Sequence, residues 1–160
     1  MESVIYFHGL ESKPNDIKTQ FLNQEVNFLK VPTMDYKKKG IFKEWLDYIK
    51  NEKPDLLIGS SMGGYFAMAL ATHIEIPILV FNPAIHSRTL EIEGLKSGIK
   101  KLKGLVVLGK KDTIIDPNST MLILRQTPNN LDIEINKDMG HRVSLDVFIN
   151  MYNKIAYSTA

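Results

Sequence analysis

The sequence predicts an α/β fold, a parallel sheet with helices on both faces, and two observations carry that prediction. Short β-branched or apolar runs bounded by Gly, Pro and Asn alternate with amphipathic stretches, a pattern that joins parallel strands through crossover helices. The 160 residues also fit one domain, residues 1–160, long enough to bury a core and too short for a second unit of ordinary size.

Six strands are expected: Ser3 to Phe7, a weak one near Phe28 to Val31, Asp55 to Ile58, Ile78 to Phe81, Leu105 to Leu108 and Leu131 to Ile135. Between the first two, Ile17, Phe21, Leu22, Phe28 and Leu29 recur at helical spacing behind Pro14, which suits a helix start. Ile41, Phe42, Trp45, Leu46, Tyr48 and Ile49 form the broad apolar face of a second helix, closed by Lys53-Pro54. Trp45 is thereby assigned to the core. The stretch Tyr65 to Ala71 is apolar on every side, as a central helix covered by its neighbours should be. Asp116-Pro117 reads as an N-cap followed by Pro at the first helical position, leading into Met121, Leu122 and Leu124. A last helix from about Ser144 presents Leu145, Phe148, Ile149, Tyr152 and Ile155 to the core.

Composition limits the chemistry. A hydrophobic fraction of 44% with 24% charged residues is that of an ordinary globular protein rather than a disordered or fibrous one. The net charge of +2 is dispersed, and the runs Lys37-Lys38-Lys39 and Lys100-Lys101-Lys103 carry no interleaved aromatics, so solvated faces are expected and no nucleic-acid partner. With no cysteine, disulfides, thiolate metal sites and cysteine nucleophiles are excluded together. A β-rich segment starts almost at Met1 and no apolar run approaches a membrane span, so a cytoplasmic location without membrane attachment is expected.

The strongest local signal is Gly59-Ser60-Ser61-Met62-Gly63, a Gly-x-Ser-x-Gly match between a strand and the apolar helix. Ser60 is one position out of register. A nucleophile on such a turn projects its hydroxyl outward from a strained backbone, and Gly59 and Gly63 let neighbouring segments approach. The helix after Ser61 aims N–H groups and its positive end at the site. The alternative is that Ser61 merely caps that helix.

Taken with Tyr6-Phe7-His8-Gly9-Leu10, Gly109-Lys110-Lys111-Asp112 and Gly140-His141, this motif resembles the α/β-hydrolase superfamily, and more narrowly its small capless bacterial esterases of the YqiA type. The four motifs fall in family order, each at the carboxyl end of an expected strand. The resemblance implies a minimal hydrolase core: a three-layer α/β/α sandwich whose six-stranded, mainly parallel sheet has the order 2-1-3-4-5-6. It also implies that the N–H groups of Leu10 and Met62 form an oxyanion hole, and that His8 with Gly9 shapes the loop carrying Leu10.

A serine hydroxyl needs a neutral imidazole to accept its proton and return it to the leaving group. His141 suits that role, because a short loop after the last strand can swing it over the carboxyl edge of the sheet, and the order Ser61, Asp112, His141 is that of this fold. His73 sits near the end of the central helix, where position alone explains it. His86, beyond Asn82-Pro83, either contacts substrate or lies on the surface. For the acid, Asp112 occupies the edge of the adjacent strand; Asp116 is explained by its cap, and Asp138 by the turn before Gly140.

The expected activity is cleavage of a small-molecule carboxylic ester or thioester through an acyl-enzyme, with no metal or organic cofactor. Transfer of the acyl group to an alcohol or thiol, and a noncatalytic binding scaffold, are the rivals. Nucleotide binding is disfavoured, since neither Gly-x-Gly-x-x-Gly nor Gly-Lys-Ser/Thr follows a strand. Between Asn82 and Gly104 the chain has about one helix's worth of residues, including Leu90, Ile92, Leu95 and Ile99, rather than a cap domain. A shallow, open pocket preferring short acyl groups is expected.

Overall fold

The computed structural model describes residues 1–9, 16–86 and 98–158. Their order is β1 (Ser3–Phe7), α1 (Ile17–Glu25), β2 (Phe28–Lys30), α2 (Ile41–Glu52), β3 (Leu56–Ser60), α3 (Met62–Ala71), β4 (Ile78–Phe81), a 3-10 turn (Ile99–Lys101), β5 (Lys103–Gly109), α4 (Pro117–Arg125), β6 (Asn130–Asn136) and α5 (Leu145–Tyr157). The strands form one six-stranded sheet in the order β2-β1-β3-β4-β5-β6, and every pairing is parallel. Strand order reverses at β1, and the carboxyl ends of all strands share one edge, where ligands of such sheets bind.

Side chains alternate between two cores, as the pleat requires. Ile5, Phe7, Leu57, Val80 and Val106 face one layer with Trp45 and Ile49 of α2, Phe66, Met68 and Leu70 of α3, and Leu124 of α4. Val4, Tyr6, Ile58, Phe81 and Val107 face the other, with Leu22 of α1 and Phe148, Tyr152 and Ile155 of α5. The first layer is tied by edge-on aromatic pairs, Phe7 with Trp45 and with Phe66, both at 5.2 Å. The second centres on Phe148, stacked on Phe81 at 5.4 Å. All ten residues of α3 are buried, since the sheet lies on one side and α2 packs on another.

Helix starts follow local chemistry. Asp116 caps α4 by accepting from Asn118 N and Ser119 N, with Pro117 at the first helical position, and Ser144 caps α5 by accepting from Val147 N. Helix α2 ends where Lys53 takes a left-handed conformation before Pro54.

Two expectations need correction. Phe28 and Leu29 belong to β2 and not to the helix before it, because the chain turns extended at Val26 and Phe28 N bonds Glu2 O. Ile17, placed on the apolar spacing of α1, is 57% exposed and falls on the outer side of that helix. Leu90, Ile92 and Leu95 lie outside the described residues, as do Leu10 and Pro14. Among the described residues, no helix is long and apolar enough to cross a membrane.

Candidate active site

Ser61 occupies the single residue between β3 and α3 with φ 53° and ψ −116°, a region that side-chain-bearing residues rarely adopt. A backbone so placed costs of order 1–3 kcal/mol and persists only when its surroundings impose it. Three hydrogen bonds do so: Ser61 N donates to Phe81 O at 2.9 Å, and Ser61 O accepts from Tyr65 N and Ala84 N, each at 3.0 Å. The hydroxyl makes no capping bond to α3, so the reading of Ser61 as a simple helix cap does not describe this turn. The flanking glycines are there for space. A Cβ on Gly59 would lie 2.3 Å from Gly63 O, and one on Gly63 would lie 2.0 Å from Phe7 O. Helix α3 thereby begins against the end of β1, with its first, intrahelically unpaired N–H groups at the sheet edge.

Two strands away, the loop after β5 holds Asp112 with no exposed side-chain surface. Its Oδ1 accepts from Ile114 N at 2.8 Å and Ile115 N at 2.9 Å. Its Oδ2 accepts from His141 Nδ1 at 2.8 Å. Because the carboxyl is committed as an acceptor on both oxygens, Nδ1 carries the imidazole proton and Nε2 is left with a lone pair. His141 lies on the loop after β6 and is partly exposed.

The rival groups are occupied elsewhere. Asp116 accepts from the Ser119 hydroxyl at 2.6 Å as well as from the α4 backbone, and that hydroxyl bond is the main reason its carboxyl is held below the usual range. Asp138 is 95% exposed in its side chain and faces Lys111 at 3.8 Å. His73 is exposed beyond α3 and packs edge-on against Phe42. His86 is half-buried, 3.4 Å from Thr120 Oγ1.

At the end of β1, His8 is buried and its Nδ1 donates to Gly9 O at 2.7 Å, while Nε2 is buried without a partner among the described residues. His8 O accepts from the Tyr36 hydroxyl at 2.6 Å. That phenol is pushed far above its ordinary range by burial. Met62, the first residue of α3, is buried with its N–H beside the Ser61 turn. The Leu10 assignment falls outside the described residues. Among those described, no group of three or more His, Asp or Glu side chains is gathered as metal ligands.

Two site residues escaped the sequence reading. Tyr36 reaches the β1 loop from a segment with no motif. Asn82 follows β4 with φ 44° and bonds three backbone groups, one at the end of β5 and two in the loop after β6; the dipeptide Asn82-Pro83 directly after a buried strand was its only signal.

A family model described as "Uncharacterised protein family (UPF0227)" matches residues 3–97, more than half of the chain. The chain belongs to that family. The matched segment includes His8-Gly9 and the whole Ser61 turn and ends before Asp112 and His141. This member has the α/β-hydrolase fold. A putative hydrolase of the α/β superfamily from Xanthomonas campestris pv. campestris superposes with a TM-score of 0.74 at 18% identity, covering 97% of this chain and 96% of that one. Est1E from Butyrivibrio proteoclasticus gives 0.71 at 14%, covering 99% and 87%. A predicted CIB-like hydrolase from Thermoplasma acidophilum gives 0.67 at 20%, covering 98% and 86%. No curated protein matches the sequence.

Proposed function

We propose that this chain is a serine hydrolase that cleaves a small carboxylic ester or thioester through an acyl-enzyme, with Ser61 as nucleophile, His141 as general base and Asp112 as the orienting acid. The observation that carries the reading is the 2.8 Å bond from His141 Nδ1 to a fully buried carboxylate, at the same sheet edge as a strained serine whose hydroxyl caps nothing.

The tautomer gives the direction of proton flow. Nε2 accepts the Ser61 proton as Oγ bonds the acyl carbon, and Asp112 stabilises the imidazolium. Collapse of the tetrahedral adduct breaks the bond to the leaving alcohol or thiol, which takes the proton from Nε2. Water then repeats the sequence on the acyl-enzyme and frees the acid and Ser61. Charge on the adduct's oxygen is met by the Met62 N–H and, by the family likeness, by that of Leu10; losing one such donor costs ~100 to 1,000-fold in turnover. Short acyl groups are the proposed substrates.

The test is Ser61→Ala with a short p-nitrophenyl ester. Removal of the nucleophile should lower kcat by about 10⁶-fold, to background. Undiminished turnover by a folded variant would reject the assignment.

A further inference from the structure

The imidazole has two degrees of placement, and Asp112 controls only one of them. A single bond at Nδ1 fixes the tautomer and one end of the ring. It leaves the ring free to swing about that bond, and so leaves the distance from Nε2 to Ser61 open. What remains is where the backbone of residue 141 sits relative to the nucleophile turn.

Asn82 is built to set that. It is 1% exposed, and among the described residues every bond its amide makes crosses to another segment. Nδ2 donates to Gly140 O and to His141 O, both at 3.0 Å. Oδ1 accepts from Gly109 N at 2.8 Å, and its own N–H donates to Val107 O at 2.9 Å. Both amide donors are thus used, and an amide is the one small side chain that can donate twice and accept at once. The neighbouring backbones are in contact as well: a Cβ on Gly109 would lie 2.4 Å from Gly140 O.

The segment carrying Asn82 also brackets Ser61. Phe81 O accepts from Ser61 N, and Ala84 N donates to Ser61 O. A hydrogen-bonded route from nucleophile to base therefore runs Ser61, Phe81 to Ala84, Asn82 amide, His141 carbonyl. Asn82 holds φ 44° to make it, a left-handed conformation that Asn tolerates better than other side chains.

We propose that Asn82 is a positioning residue for the reaction, registering the His141 loop against the Ser61 turn so that Nε2 meets Oγ. The inference rests on the serine hydrolase reading above. A residue that merely satisfied buried backbone groups would affect folding without altering chemistry in the folded enzyme.

Two variants of the full chain separate these roles. Asn82→Gly keeps the left-handed backbone open and deletes the amide, while Asn82→Asp keeps the shape and the acceptor but sets an oxygen against two carbonyls. Both are compared with wild type for kcat and KM on a short p-nitrophenyl ester, well below their melting temperatures. Reaction of wild-type Ser61 with a fluorophosphonate serves as the control. The expected result is a fall in kcat of about 100-fold in each variant with KM within about twofold, the size of effect that a ~1 Å misplacement of a reacting group produces. Folded variants with kcat within about threefold of wild type, or failure of both to fold, would make Asn82 structural and overturn the proposal. If the wild-type control shows no adduct at Ser61, the underlying reading fails, and this inference with it.

Discussion

Replacing Asp112 by Asn probes the proposed base without disturbing the fold, and the structure dictates how the amide would settle. The Oδ1 position faces two backbone donors, Ile114 N at 2.8 Å and Ile115 N at 2.9 Å. An amide NH2 there would oppose two N–H groups in a site with no water access, leaving buried donors unpaired at ~1–3 kcal/mol each. The carbonyl oxygen therefore takes that place, and the NH2 points at His141 Nδ1. Facing a donor, Nδ1 becomes the acceptor, the ring proton moves to Nε2, and the atom that should accept the Ser61 proton is blocked. A tautomer inverted in this way lowers kcat by about 10⁴-fold in a Ser-His-Asp site, equal to ~5.5 kcal/mol of transition-state stabilisation. KM should change little and the melting temperature should stay close to wild type, since shape and both backbone bonds are kept. The assay is steady-state hydrolysis of a short p-nitrophenyl ester. Retention of more than a tenth of wild-type kcat would show that Asp112 does not govern the proton on His141.

Three further outcomes follow from the same structure. Gly63→Ala places a methyl group 2.0 Å from Phe7 O, against a floor near 3.0 Å for real contacts; α3 must lift off β1, so the variant should lose at least ~1–3 kcal/mol in denaturant titration together with its esterase activity, and a stable, active variant would contradict the packing described. Asp116→Ala should lower the melting temperature, because the side chain caps α4 and a methyl group cannot accept from its N–H groups, yet leave kcat nearly intact; a large loss of turnover would reinstate Asp116 as the acid. Burial raises the pKa of Tyr36 above its ordinary value and pushes that of Tyr6 up to about 12. A folded-state value above the unfolded one gives stability that is complete below pH 10 and lost as pH rises through the folded values, at ~1.4 kcal/mol per pH unit per tyrosine. Urea midpoints should accordingly fall above pH 10, and Tyr36→Phe should fall less steeply than wild type; parallel curves would count against the burial of its hydroxyl.

How far the sequence reveals this molecule depends on the range of the interactions involved. Strand β4 runs over the expected residues because Pro77 and Asn82-Pro83 bound an apolar run that has no choice of face. Strands β5 and β6 run beyond their apolar segments into Lys103, Asn130 and Asn136, since a ladder extends as far as its neighbour pairs and not as far as hydrophobicity does. The strain at Ser61 was visible in its glycine spacing, and the cap at Asp116 in the proline after it. The α1 face was misjudged at Ile17 and Phe28 because a nine-residue helix beside an edge strand buries little. The roles of Tyr36 and Asn82 are not legible for a different reason. Their bonds run from side chain to backbone across 28 and 58 to 59 residues, and a carbonyl partner leaves no mark on residue type.

The most direct test of the account is to treat the full chain with a fluorophosphonate and locate the adduct by peptide mass spectrometry. Phosphonylation should occur at one site, on the peptide carrying Ser61, and should slow by orders of magnitude in His141→Ala. An adduct on Ser60 or elsewhere, or labelling of Ser61 at an undiminished rate without the imidazole, would contradict it.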